Sequence, residues 1–174
     1  LGINEVCIEL NNSSFDAFVS ELAPDIVLFD RFMMEEQFGW RVEKHCPHAL
    51  RILETSDLQS LRDARQQQLK ARLKHTDEQD DFSSLFAPAP RETIEQMAGT
   101  DLAQREIAAI YRSDLNLMIS EYEIDLLVEQ FDVPKTLLHW CPLMIDHVPD
   151  AFVPYEQRQH FLSIGNFRHA PNWD

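Results

Sequence analysis

Four residues near the start of the chain have the types and spacing to do chemistry: Asp30, Arg31, Glu35 and Glu36. A carboxylate there could orient or deprotonate a hydroxyl, and an arginine beside it could hold an anion or neutralise its neighbour. They follow the apolar run 26–29, which has the length and composition of a strand buried on both faces, as in a parallel sheet. Asp30 closes that strand. Phe32, Met33, Phe38, Trp40 and Val42 then recur among Glu35, Glu36, Gln37, Arg41, Glu43 and Lys44, which predicts an amphipathic helix that tolerates Gly39. In open α/β sheets ligands collect at the carboxyl ends of strands, so these four residues stand where a site is expected. Each also has a structural reading: Asp30 as a helix cap, Arg31 as a partner of a nearby carboxylate, and Glu35 and Glu36 as first-turn residues favoured by the helix dipole.

His45, Cys46 and His48 are the other cluster with ligand-type side chains. Adjacent and next-but-one positions converge poorly on a metal, Pro47 interrupts them and no second cluster completes a tetrahedral set, so the reading is structural. The three cysteines, Cys7, Cys46 and Cys141, are odd in number and scattered. They read as small buried hydrophobes of a reducing compartment rather than as a disulfide framework.

The elements that must position these residues alternate along the chain. Residues 6–10 read as a strand, and Asn11, Asn12, Ser13 and Ser14 as a cap for the helix 15–22, whose Phe15, Phe18, Val19 and Leu22 follow helical spacing. Residues 49–53 form the next strand, with Ser56 or Asp57 expected to cap a helix over 58–74 that is thinly apolar and largely solvated. The span 75–99 reads as mobile, being acidic and then rich in Ser, Ala and Pro. A helix follows from Asp101, then a strand over 115–119, a helix over 122–130 capped by Ser120, and a short apolar run over 137–140.

The 174 residues suffice for one well-cored domain, with 44% hydrophobic content to fill it. A formal net charge of −15 argues against general affinity for nucleic acid or anionic membranes. With neither a membrane-spanning run nor a secretory signal, the expectation is a soluble, cytoplasmic protein. The alternation predicts an α/β fold with a Rossmann-like, mainly parallel sheet and flanking helices.

Three stretches carry a family resemblance: Pro24-Asp25-Ile26-Val27-Leu28-Phe29-Asp30, then Asp114-Leu115-Asn116-Leu117-Met118-Ile119-Ser120-Glu121-Tyr122-Glu123-Ile124-Asp125-Leu126-Leu127, and Phe161-Leu162-Ser163-Ile164-Gly165-Asn166-Phe167-Arg168-His169-Ala170-Pro171-Asn172. With them the chain resembles the amino-terminal half of a GT-B fold glycosyltransferase of the family 4, group 1-like kind. The resemblance implies a hexosyltransferase that moves a sugar from a nucleotide-sugar to an acceptor without metal or resident cofactor. It implies an acceptor-side domain over 1–143, lined by Asp30, Arg31, Glu35, Glu36, Ser120 and Glu121. A connector over 144–160 and the opening of a nucleotide-sugar domain over 161–174 follow. By the same analogy Gly165, Asn166, Phe167, Arg168 and His169 would approach the donor phosphates, Gly165 by its bare backbone and Arg168 by its charge.

The family's Glu-x7-Glu element is matched in spacing by Glu35 with Glu43 and by Glu121 with Glu129, but in the wrong half of the chain. Both pairs are assigned to solvated helix faces. Because the final residues begin a strand with nothing to pair against, the expectation is a fragment, catalytically inert alone, whose first strand unit lies upstream of Leu1 and whose exposed interdomain face could drive homo-oligomer formation. A non-enzymatic α/β binding or regulatory domain is the rival reading. A receiver-like module would need a cluster of acids after the first strand and a late Lys, neither of which is evident. A sugar-nucleotide epimerase would need Gly-x-Gly-x-x-Gly, which four glycines do not supply.

Overall fold

In a computed structural model, residues 2–75, 90–144 and 153–162 are described. The chain divides into two units, Leu1–Leu143 and Met144–Asp174. In the second, the described residues form one short 3-10 turn, Tyr155–Gln157, with Arg158 donating to the Val153 carbonyl.

The first unit is an α/β domain built on four strands: β1 (Ile26–Asp30), β2 (Leu50–Glu54), β3 (Leu115–Met118) and β4 (Leu138–Trp140). They lie in the order β1-β2-β3-β4, every neighbouring pair parallel, in a Rossmann-like arrangement. Helix α1 (Ser14–Leu22) precedes β1, and α2 (Phe32–His45) links β1 to β2. Helices α3 (Gln59–His75), α4 (Pro90–Ala98) and α5 (Asp101–Arg112) link β2 to β3, and α6 (Glu121–Phe131) links β3 to β4. No described helix is long and apolar enough to cross a membrane.

The register sorts the strands into two unlike faces. Phe29 sits opposite Leu53, Leu53 opposite Asn116 and Asn116 opposite Leu138, so these residues share one face. There Phe29, Leu53, Met118 and Leu138 join Phe15 and Val19 of α1, Val42 of α2, Leu61 of α3, Ile110 of α5 and Leu127 of α6 in a single core. Crossovers between parallel strands are right-handed, and an order that always steps the same way lays every crossover helix on the same side. The other face carries Ile26, Leu28, Leu50, Ile52, Leu115 and Leu117. Ile26 and Leu28 are 59% and 55% exposed, and Leu50 is 41% exposed. The reading of β1 as buried on both faces is therefore corrected: its period is that of a half-buried strand although its composition is that of a fully buried one.

Other expectations also shift. Residues 6–10 form no strand, and Val6, Ile8 and Leu10 are exposed, because no neighbouring ladder receives them. Part of the span read as mobile, 90–98, is helix α4. Gln68 accepts from Thr93 at 2.6 Å and Gln67 accepts from Gln96 at 2.9 Å, so α4 docks on the polar side of α3 that composition assigned to solvent. Residues 76–89 lie outside the described set. Cys46 is buried and its thiol reaches the Val19 carbonyl, but Cys7 is exposed and Cys141 half-buried, so the reading as a core hydrophobe holds for Cys46 alone.

Candidate functional site

The carboxyl ends of β1 and β2 form the candidate site. Asp30 and Glu54 are register partners on the open face of the sheet, one strand spacing apart, about 4.8 Å. Asp30 is exposed and meets the Arg31 guanidinium at 3.3 Å. Glu54 is half-buried and held from behind, accepting from the Ser56 N–H at 2.8 Å and from the Ser56 hydroxyl.

The backbone here is strained. Arg31 has φ 69° and ψ 160°, a region that belongs almost entirely to glycine and costs about 1–3 kcal/mol for other residues. Its cause is local: the Arg31 N–H donates to the Glu54 carbonyl at 2.8 Å, extending the ladder, while its own carbonyl accepts from Met34 at 3.0 Å to open α2. One residue must turn strand into helix. Ser56, in the turn between β2 and α3, also has a positive φ, 57°.

Glu35 and Glu36 sit close by in sequence but face elsewhere. Glu35 is 3% exposed and accepts two bonds from the Arg112 Nε, at 2.9 and 3.1 Å. Glu36 accepts from Arg105 at 3.0 and 2.7 Å. Adjacent residues of α2 are thus fastened to arginines seven positions apart on α5, and neither carboxylate is free. Gly39 completes the arrangement, since a Cβ there would overlap the Glu35 carboxylate. Glu43 lies 3.6 Å from Arg51. The assignment of Glu35 to a solvated helix face is corrected: the arginine that draws it inward lies 77 residues away and leaves no local signal.

At β3 the Ser120 hydroxyl accepts from the Glu123 N–H at 3.4 Å, the capping role its position suggested, while Glu121 is exposed in the first turn of α6. Gly165, Asn166, Phe167, Arg168 and His169 lie outside the described residues. His45 turns toward Asp16, at 3.7 Å, and Cys46 into the core, so the two diverge.

Sequence reasoning missed two buried carboxylates at the start of α3. Glu106 of α5 accepts from the backbone N–H groups of Gln59 and Ser60 at 2.9 and 3.1 Å, and also from the Ser60 hydroxyl. Glu123 of α6 accepts from the Leu58 N–H at 3.3 Å. Neither Ser56 nor Asp57 caps α3 as expected; Asp57 instead pairs with Arg62 at 2.7 Å. Burial pushes both glutamates above the ordinary carboxylate value, although donors offset part of the rise, Ser60 and Gln59 at Glu106 and Leu58 at Glu123. A helix start beyond a parallel strand is a ready anion site, and here the protein's own carboxylates fill it. At the ends of β1 and β2, Asp30, Arg31 and Glu54 are accessible polar groups, with the exposed Glu121 beyond β3.

These features define an α/β domain with a parallel, Rossmann-like sheet and a polar group at its carboxyl edge. Compared with family models, with curated proteins and with solved structures, the chain has no match.

Proposed function

We propose that this domain is the acceptor-side wall of a glycosyltransferase that moves a hexose from a nucleotide-sugar to a hydroxyl-bearing acceptor. What supports the reading is the resemblance carried by Pro24 to Asp30 and by Asp114 to Leu127, together with one observation: Asp30, Arg31 and Glu54 are grouped and accessible at the carboxyl end of a parallel sheet. Transfer forms a bond from the acceptor oxygen to the anomeric carbon, breaks the bond from that carbon to the diphosphate, and releases the hydroxyl proton. A strand-end carboxylate suits the hydrogen bond that orients the hydroxyl and accepts that proton. Glu35 and Glu36, committed to Arg112 and Arg105, take no part. The donor would bind to a second wall, around Gly165 to His169.

A non-enzymatic binding domain is the second reading. It is favoured by the filled start of α3, which leaves no vacant helix terminus for a phosphate beside β2.

Amide NMR titration of the 174-residue chain tests the proposal, using a panel of mono- and oligosaccharides and, separately, uridine and guanosine diphosphates. Saccharides are expected to move the amides of Asp30, Arg31 and Glu54, with the response lost in Asp30→Asn and Glu54→Gln. If the diphosphates alone move those amides, or if nothing in the panel does, the acceptor assignment fails.

A further inference from the structure

The open face of the sheet is apolar on all-parallel strands, and parallel sheets are stable with both faces covered. The described crossover helices do not supply the cover, because a strand order stepping always one way puts them on the same side. Strands added on the far side of β1, stepping the opposite way, place helices on the other face, which is how doubly wound sheets are built.

The edge of β1 is suited to that addition. The Asp25 carbonyl accepts from Leu50 and the Arg31 N–H donates to Glu54, so alternate residues turn toward β2. The N–H and C=O groups of Ile26, Leu28 and Asp30 then point outward. Among the described residues this edge carries neither proline nor lysine and its one charge, Asp30, stands at the end of the strand. Val6, Ile8 and Leu10 alternate as a strand would, yet they stand exposed without a ladder. A sheet continued beyond β1 gives them one.

We propose that a strand-helix unit of the same gene product pairs its strand, parallel, along the free edge of β1 and lays amphipathic helices over Ile26, Leu28, Ile52, Leu115 and Leu117. Size favours this occupant over a second copy. Four strands about 4.8 Å apart and about 15 Å long present roughly 300 Å². Two such faces bury roughly 600 Å², about half the 1,200 Å² at which stable interfaces begin. Two helices about 10 Å apart span the same width. Charge agrees as well. Helices of such units run antiparallel to the strands and bring their positive amino-terminal ends over the strand carboxyl ends, where Asp30 and Glu54 lie on this face. The winding would then reverse at β1, which puts the crevice of the fold beside Asp30 and Arg31. This inference rests on the sheet alone and stands apart from the glycosyl-transfer reading.

Hydrogen exchange on the whole product of the gene, set beside the 174-residue chain, is the test. The amides of Leu28 and Asp30 are expected to exchange at least tenfold more slowly in the whole product. Leu28→Lys is expected to lower the melting temperature of the whole product and to leave that of the 174-residue chain, where Leu28 is 55% exposed, unchanged. Equal exchange in the two, including the case where they prove to be the same polypeptide, overturns the proposal. So does protection that grows with concentration of the 174-residue chain, which would assign the face to a second copy.

Discussion

Replacing Gly39 by alanine reverses the usual sign of that substitution. In an exposed helix interior alanine is better than glycine by about 1 kcal/mol. At Gly39 the new methyl would overlap the Glu35 carboxylate, which is nearly fully buried and bound to Arg112. Disrupting a buried pair by removing one partner costs about 3–5 kcal/mol. Arg112 is 44% exposed and keeps part of its hydration, so the lower end applies, about 3 kcal/mol if contact is lost. Setting that against the propensity gain leaves a net loss of about 2 kcal/mol. Guanidinium unfolding followed by circular dichroism measures it, with Glu35→Ala as the second background. Once the carboxylate is gone, Gly39→Ala is expected to be neutral or to stabilise by up to about 1 kcal/mol. Stabilisation in the unmodified chain, or the same sign in both backgrounds, refutes the account of why glycine sits in the middle of α2.

Further predictions concern buried polar groups. Burial raises the Glu106 and Glu123 carboxyls in the folded chain, so the folded form holds protons that the unfolded form has released. Stability therefore falls as pH rises from the ordinary value of 4.5 toward the higher folded values, and Glu106→Gln flattens that slope in melting temperature against pH. Asp114 is opposite: burial pushes it up, but the Arg51 backbone N–H and guanidinium outweigh this and hold it below 3.8. Its contribution is present above 3.8 and is lost as pH falls through the lower folded value, a decline that Asp114→Asn removes from acid-unfolding curves. Asn116 is fully buried and donates to the carbonyls of Ile110 and Leu137 at 3.1 and 3.0 Å, so Asn116→Ala is expected to cost about 1–3 kcal/mol in denaturant unfolding.

Periodicity made most of the domain legible. The run 26–29 gave β1, the spacing of Phe15 to Leu22 gave α1, and Ser120 marked the start of α6. What escaped has a common cause, since each case was decided by a partner far along the chain. Glu35 looks like a solvated first-turn residue until Arg112 is known, and Ser56 looks like a cap until Glu106 arrives to do that work. Helix α4 hid in a segment whose loop-like composition masked Ile94 and Met97 at helical spacing. At the site, Asp30 and Arg31 were found by the strand-end rule. Glu54 became visible only through the register that sets it beside Asp30.

The long-range capping of α3 also bears on synthesis. The amide of Leu58 finds its acceptor 65 residues later, and that of Gln59 finds its own 47 residues later. While the nascent chain emerges from the ribosome, the first turn of α3 has to stay frayed or hydrated until α5 and then α6 have been released. The start of this helix thus settles after its body, and the last capping contact closes only when the polypeptide has been made through Glu123. A pause in translation just before that codon would leave the start of α3 without its Glu123 contact.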